Sequence, residues 1–282
     1  MILVFGKTGQ VATELQHLGD VLALGRDQAD LSDPVACAQK IRALTPRAVI
    51  NTAAYTAVDK AEEEEKLATI INGDTPTAIA RACAEMKIPL VHISSDYVFE
   101  GSGGAAWKPC DATAPQNAYG RSKLAGENGI RNSGATHAIL RTSWIVSAHS
   151  ANFVKTMLDL SETRDALSVV ADQIGGPTPA RDIAHACHMI AQQLQEDPSK
   201  SGIYHYSGAP SVSWAGFATS IFMQAARPVT VTPIQTAAYP TPAKRPLNSR
   251  MDCSTTFSTF GIEQPDWRIG LKAMLKELEV TA

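Results

Sequence analysis

Apolar residues fall in short runs at 2–5, 21–24, 48–50, 90–93 and 138–140, and several intervening stretches, such as 35–44 and 75–86, carry apolar residues at helical spacing. Brief, almost wholly apolar runs separated by helices predict a parallel sheet covered on both faces, because strands buried on both sides show no polar alternation. Residues 1–145 keep this rhythm. Beyond Trp144 the pattern is mixed, with helical spacing at 153–160 and 183–194 and strand-like runs at 167–170 and 203–206. The segment Tyr239-Pro240-Thr241-Pro242-Ala243-Lys244-Arg245-Pro246 cannot form a helix interior or a central strand, since proline lacks the N–H that both require. No internal repeat or low-complexity tract interrupts the chain, and Glu62-Glu63-Glu64-Glu65 reads as the solvated face of a helix.

Composition narrows the class of ligand. A chain of 282 residues, 44% hydrophobic and 19% charged, can bury a full α/β core. Its net charge of −3 gives no general attraction to nucleic acid or to an anionic membrane, so an anionic ligand must be held by local groups. No apolar run approaches the length of a membrane span. The first residues, Met1-Ile2-Leu3-Val4-Phe5-Gly6, read as a strand rather than as a basic leader with a cleavage site. Five cysteines, odd in number, scattered and in no metal-binding spacing, are expected to be free thiols in a reducing compartment, and the expected location is cytoplasmic.

Two local patterns carry chemistry. Phe5-Gly6-Lys7-Thr8-Gly9-Gln10-Val11-Ala12 follows the first strand and opens a helix, and its glycines allow the tight turn and close backbone approach that a pyrophosphate needs. Ala12 replaces the usual third glycine with another small residue. Taken alone, the turn fits an ordinary strand-to-helix connection as well; its place at the head of an alternating α/β pattern points to a dinucleotide. The full spacing of a nucleotide-triphosphate loop is absent. The second strand ends in Gly25-Arg26 with no carboxylate to repel a 2′-phosphate, and Arg26 could pair with one, although it equally fits a plain surface position.

The other pattern is Tyr119-Gly120-Arg121-Ser122-Lys123. Spacing of i and i+4 sets both side chains on one helix face, where an ammonium would lower the phenol's pKa and tune it for proton transfer. Tyr119 alone among the six tyrosines has a lysine four residues on. Upstream, a buried-looking strand ends in Ser94-Ser95-Asp96-Tyr97, at the carboxyl edge where open α/β sheets place their sites. Ser95 is expected to hydrogen-bond a reacting carbonyl oxygen while Tyr119 delivers the proton.

The glycine turn, Asn51-Thr52-Ala53-Ala54 after another strand, the serine-bearing strand end and the Tyr119/Lys123 pair occur in this order. In these features the chain resembles the extended short-chain dehydrogenase/reductase family, and more narrowly its dTDP-4-dehydrorhamnose reductase branch. The matching segments are 5–11, 51–62, 94–99, 119–127, Arg141-Thr142-Ser143-Trp144, Asp172-Gln173-Ile174-Gly175-Gly176-Pro177-Thr178 and 239–250. The resemblance implies an α/β fold: a Rossmann-type doubly wound parallel sheet with a smaller C-terminal α/β substrate-binding lobe. Residues 1–145 would be mainly the NAD(P)-binding domain and 146–282 mainly the sugar-nucleotide lobe, with some segments returning to the first.

It further implies reduction of the C4 keto group of dTDP-4-dehydro-L-rhamnose to dTDP-L-rhamnose, with NADPH or NADH as cofactor. Tyr119 would be the proton donor, Lys123 its partner and a ligand of the nicotinamide ribose, and Ser95 the hydroxyl usually supplied by threonine. Gly6, Gly9, Gln10 and Val11 would hold the pyrophosphate, Asp30 and Leu31 would border the adenine, and Ala53, Ala54 and Tyr55 would line the cofactor. Ser95, Asp96, Tyr97 and Trp144 would contact the sugar, although Trp144 equally fits core packing. Arg245 and Asn248, on the proline-stiffened loop, would approach the nucleotide diphosphate.

Departures from the family pattern matter too. Gly25-Arg26 stands where an acid is common, which favours NADPH. Dimeric relatives can hold an interface magnesium on acids; Glu14 matches one, but Arg181 stands at the other position, before Asp182, so no metal is assigned. The expected state is a monomer or homodimer with a dTDP-sugar as partner, and no nucleic acid or membrane. A sugar-nucleotide dehydratase would place glutamate where Tyr97 stands, and a tyrosine is a poor base for a carbon-bound proton. A non-catalytic regulatory subunit, related to that of methionine adenosyltransferase, would not need Ser95, Tyr119 and Lys123 together. A reductase for another dTDP-4-keto-6-deoxyhexose is excluded by no residue.

Overall fold

In the computed structural model, which describes residues 1–280, the first half of the chain alternates strand and helix. The elements are β1 (Ile2–Phe5), α1 (Gln10–Gln16), β2 (Val21–Leu24), α2 (Pro34–Leu44), β3 (Ala48–Asn51), α3 (Glu65–Thr69), α4 (Thr75–Met86), β4 (Leu90–Ser95), α5 (Ala118–Arg131) and β5 (His137–Thr142). These five strands and Gly202–His205 form one parallel sheet, in the order Gly202–His205, β5, β4, β3, β1, β2. β1, β3 and β4 are buried along their whole length, including the polar residues Asn51, His92, Ser94 and Ser95 at or near their carboxyl ends.

Side chains alternate across the sheet with period two, so each strand feeds two cores. Ile2, Val4 and Ile50 pack with Val11 and Leu15 of α1 and with Ile183, Cys187 and Ile190 of the long helix Ala180–Glu196. On the opposite face Leu3, Phe5 and Val49 pack with Ile41 of α2 and Ile79 and Cys83 of α4. The strand order reverses between β1 and β3, so the loops leaving their carboxyl ends turn to opposite faces and open a crevice between them.

Helix starts are set locally. Pro34 opens α2, and the Asp33 carboxylate accepts from the Ala36 N–H at 2.9 Å. The Asn117 side chain caps α5 in the same way, accepting from the Gly120 N–H at 2.8 Å. Between α3 and α4 the chain widens into a π turn, Ile70–Asp74. Gly126 of α5 lies so close to the Asn72 carbonyl of this turn that any Cβ would collide with it.

The four glutamates at 62–65 are not simply a solvated helix face. The run is split between the short turn Lys60–Glu62 and the start of α3, and it ties down α5. Glu62 accepts from the Ala118 N–H at 2.8 Å, Glu64 from the Tyr55 hydroxyl at 2.7 Å, and Glu65 takes both ends of the Arg121 guanidinium. A helix N-terminus with unmatched N–H groups, and a cation beside it, draw the acids inward.

A second core gathers the helices Phe153–Ser161, Trp214–Gln224 and Trp267–Glu277 over the parallel pair Ala166–Val170 and Thr230–Ile234. Three two-residue strands, Val212–Ser213, Ile174–Gly175 and Asn248–Ser249, form a small sheet at its edge. Residues 239–246 lie outside helix and strand, as their prolines demand.

α5 is clamped to the sheet by a buried ion pair. The Arg141 guanidinium of β5 donates to both Glu127 carboxylate oxygens, at 2.9 and 2.6 Å, and the Ser94 hydroxyl of β4 donates to the same carboxylate at 2.6 Å. Only 2% of Arg141 and 1% of Glu127 are exposed, and the guanidinium also lies over the Phe99 ring, 4.8 Å from its centre. Breaking one side of such a pair strands a buried charge. Glu127→Gln should therefore lower unfolding stability by about 3–5 kcal/mol in urea titration, and a loss under about 1 kcal/mol would show that Arg141 finds another partner.

Candidate active site

β4 ends at Ser95, and the chain turns at once into Asp96–Val98. The Ser95 hydroxyl accepts from the Tyr97 N–H at 3.2 Å and donates to the Asp96 carboxylate at 3.0 Å. The other Asp96 oxygen accepts from the Ser249 hydroxyl. Burial pushes the Asp96 carboxyl up to about 6, against the pull of those two hydroxyls.

Tyr119 stands in the first turn of α5, with the Tyr97 ring edge-on to it at 5.3 Å. Burial, and after it the Asp96 carboxylate, push its phenol up to about 12, while the Ser95 hydroxyl pulls the other way. Burial, and not Lys123, sets the direction here. Lys123 is one turn further along, 2% exposed, and its Nζ donates to the Ile93 carbonyl at 2.6 Å and lies 3.4 Å from His92 Nε2. Turned under the sheet edge in this way, its charge does not offset the phenol's desolvation. The lysine itself is pushed down to about 8 by burial, with Glu127 acting in the opposite sense. His92, fully buried against Lys123 and 3.1 Å from the Asn51 amide nitrogen, is held neutral well below its ordinary range.

Ser95, Tyr119 and Lys123 share a cleft of about 530 Å³ with Trp144, Arg245 and Ser249. Trp144 stacks on Trp214 at 3.5 Å between ring centres, from a backbone with φ +49°, a conformation that bulky residues rarely adopt. Gln173, Trp214 and Arg245 also line an adjoining groove of about 850 Å³ in the second lobe, beside Phe153 and Tyr239. Arg245 donates to the Asp59 carboxylate at 2.7 Å, and Asp59 also accepts from the Ala243 N–H at 3.1 Å. One carboxylate thus pins the proline-rich loop and aims its arginine at the junction of cleft and groove.

Residues 1–280 match the family described as the RmlD substrate binding domain. The chain belongs to that family. It is 41% identical to dTDP-4-dehydrorhamnose reductase of Escherichia coli K12, over 99% of this chain and 98% of that one. To the enzyme of the same name from Sinorhizobium fredii it is 43% identical, over 94% and 93%. Among solved structures it superimposes on a Bacillus anthracis dTDP-4-dehydrorhamnose reductase in complex with NADP, with TM-score 0.90, 34% identity and 98% of each chain covered. A Clostridium acetobutylicum dTDP-4-dehydrorhamnose reductase gives TM-score 0.92 at 35% identity, over 99% of each chain.

In this member of the family the glycine turn fits a dinucleotide. Gly6 has φ +111°, and a Cβ there would stand 2.6 Å from the Thr52 hydroxyl, while a Cβ on Gly9 would meet nothing within 4 Å. The turn therefore packs tightly on β3's loop behind and stays open in front. Val11 is buried, so only its backbone faces the turn. Gln10 reaches across to the second lobe, donating to the Ile145 carbonyl at 3.3 Å and accepting from Ser147 at 2.9 Å. Arg26 is largely exposed and paired with Asp30 at 3.2 Å, and Leu31 is buried beside them.

Three of the expected ligand residues have partners within the protein. The Tyr55 ring packs on the cluster of Ala61, Ala68 and Ala118 with its hydroxyl held by Glu64, while its neighbours Thr52 and Ala54 line the cleft. The Ala53 N–H donates to the Phe5 backbone carbonyl and to the Asn51 side-chain oxygen. Asn248 points away from the cleft: its amide donates to the Ser102 and Ala105 carbonyls and its oxygen accepts from Arg250. In a strand, neighbours face opposite ways, so it is Ser249 that enters the cleft. Asn72 went unnoticed in the sequence. Its amide brackets the Tyr55 backbone at 2.8 and 3.0 Å and donates to Ser122, joining the loop after β3 to α5; an isolated asparagine gives no signal of that.

Asp96 makes a pH prediction. Its folded pKa lies above the unfolded value, so the folded state holds the extra proton between about pH 4 and 6, and stability falls as the pH rises through that window. Asp96→Asn should therefore gain on the wild type from pH 4 to pH 7, by up to about 3 kcal/mol in denaturant titrations. A difference independent of pH would show that Asp96 titrates normally.

Proposed function

We propose that this chain is an NAD(P)H-dependent reductase of dTDP-4-dehydro-L-rhamnose, producing dTDP-L-rhamnose in the cytoplasm. The observation that carries this reading is the convergence of Ser95, Tyr119 and Lys123 on one cleft that runs, past Trp144 and Arg245, into a groove large enough for the rest of a sugar nucleotide. The parallel-sheet unit would take the cofactor at the turn 6–11, with Arg26 favouring NADPH, and the second lobe the sugar nucleotide. Five unpaired cysteines suit a reducing compartment.

The nicotinamide, when bound, supplies the hydride that reaches the C4 carbon. Tyr119 gives its proton to the oxygen that this leaves as an alkoxide. A phenol pushed up to about 12 keeps its proton at neutral pH and remains more acidic than a sugar alkoxide's conjugate alcohol, so transfer runs toward the product. Lys123 sets a positive charge beneath the cleft floor, which favours negative charge developing above it. Ser95 is engaged by Asp96 and fixes the strand end against which Tyr119 stands. The Asp59-held Arg245 would offer its guanidinium fork to the diphosphate.

NADPH oxidation on adding dTDP-4-dehydro-L-rhamnose, with dTDP-L-rhamnose as the product by mass and sugar analysis, tests the reading. No turnover would overturn it, and a different deoxysugar product would redirect it. Tyr119→Phe should lower kcat roughly a hundredfold or more while NADPH affinity stays within about twofold; turnover at the wild-type rate would remove Tyr119 from the chemistry. Arg245→Ala should raise the substrate KM about ten- to a hundredfold, the effect of one charge-assisted contact. If that variant loses NADPH affinity and keeps its KM, the loop serves the dinucleotide.

A further inference from the structure

Nearly every buried or half-buried serine or threonine hydroxyl in the cleft wall is engaged by the protein. Thr52 donates to the Phe5 carbonyl at 2.9 Å, Ser94 to Glu127 at 2.6 Å, Ser95 to Asp96 at 3.0 Å, Ser143 to the Gly176 carbonyl at 3.3 Å, and Ser249 to Asp96. Thr142 is the exception. It is 3% exposed and lines the cleft, and its Oγ1 has no hydrogen-bond partner among the described residues. A hydroxyl buried without a partner lowers stability, and valine would give the same β-branched shape without that penalty. Nothing in the fold requires the oxygen.

Its position tells what it can reach. Thr142 is the last residue of β5 and the register partner of Ser95 at the end of β4, so the two side chains stand side by side on one face, roughly 5 Å apart. The strand order puts β5 on the far side of β4 from β1, three strand spacings or about 14 Å from the glycine turn. On its other side the chain continues through Ser143 to Trp144 and the second lobe. A ring reacting in front of Tyr119 would therefore have the dinucleotide on its β1 side and Thr142 on its lobe side. Ser95 stands beside it with its proton directed to Asp96 and one lone pair to the Tyr97 N–H, so Thr142 is the neighbour whose donor is uncommitted.

We propose that Thr142 is a substrate-binding residue whose hydroxyl hydrogen-bonds an oxygen substituent of the hexose ring beside the reacting carbon. This rests on the reading that a keto-hexose nucleotide occupies the cleft. The hydroxyl selects for a sugar that presents an oxygen there and disfavours a deoxy analogue, because the buried threonine would then be left unmatched.

Thr142→Val and Thr142→Ser separate this role from a structural one. With NADPH and dTDP-4-dehydro-L-rhamnose, the valine variant should lose roughly ten- to a hundredfold in kcat/KM and the serine variant should recover most of it. NADPH affinity should stay within about twofold, and the valine variant's Tm should equal or exceed the wild type's, since no hydrogen bond within the protein is lost. Unchanged kcat/KM in the valine variant would overturn the proposal. A Tm lowered by several degrees would also overturn it, by showing that the hydroxyl holds the fold, and so would weakened NADPH binding with an unchanged KM. Wild-type turnover, measured in the same assay, separates these outcomes from failure of the functional reading itself.

Discussion

The buried pair of Glu127 and Arg141 sets the geometry on which the cleft depends. Both members, and the Ser94 hydroxyl bonded to them, adjoin a residue of the candidate site: Glu127 lies one helical turn beyond Lys123, Arg141 precedes Thr142, and Ser94 precedes Ser95. Locking those three neighbours fixes α5 in rotation and height against β4 and β5. Two fully desolvated charges are costly to hold, and they persist here because guanidinium, carboxylate, hydroxyl and the Phe99 ring satisfy one another. A site built on such a clamp needs little rearrangement when its ligands arrive.

Around the clamp, burial shifts each titratable group toward its neutral form. Asp96 is pushed up to about 6 and Lys123 down to about 8, each by loss of solvent, while Tyr119 rises to about 12. The phenol keeps its proton until a stronger base forms in front of it. Lys123 faces neutral His92 and the Ile93 carbonyl, so its charge is anchored to the strand end rather than to the phenol. The Tyr-x-x-x-Lys spacing aligns the two groups on one helix face.

The second lobe is wired to the same helix. Asn117, which caps α5, donates its amide to the Lys244 carbonyl at 2.8 Å, and Asp59 holds both the loop backbone and Arg245. The proline-rich loop is thus referenced to the helix that carries Tyr119, and the arginine and the phenol are placed relative to one another. On the opposite side, Gln10 joins the glycine turn to the strand Ile145–Val146.

Much of this was legible along the chain. The strands of the first half follow from apolar runs, the helices at 35–44, 75–86, 153–160 and 183–194 from their spacing, and the open loop at 239–246 from proline, because each depends on neighbours within a few residues. The i, i+4 relation of Tyr119 and Lys123 is helical geometry, and the glycine turn is a constraint of local backbone. Tertiary structure alone decided the partners. Arg141 meets Glu127 because β5 returns beside α5, Ser249 and not Asn248 enters the cleft because of strand register, and Lys123 turns to Ile93 because β4 offers a carbonyl there. The helix Ala180–Glu196 covers the first sheet and Gly202–His205 extends it from beyond the second lobe's first helix; their spacing marks the helix and the strand, but not where they pack. Periodicity tells which face a side chain occupies; what stands opposite that face depends on how distant segments close, and burial then sets the charge that each group carries.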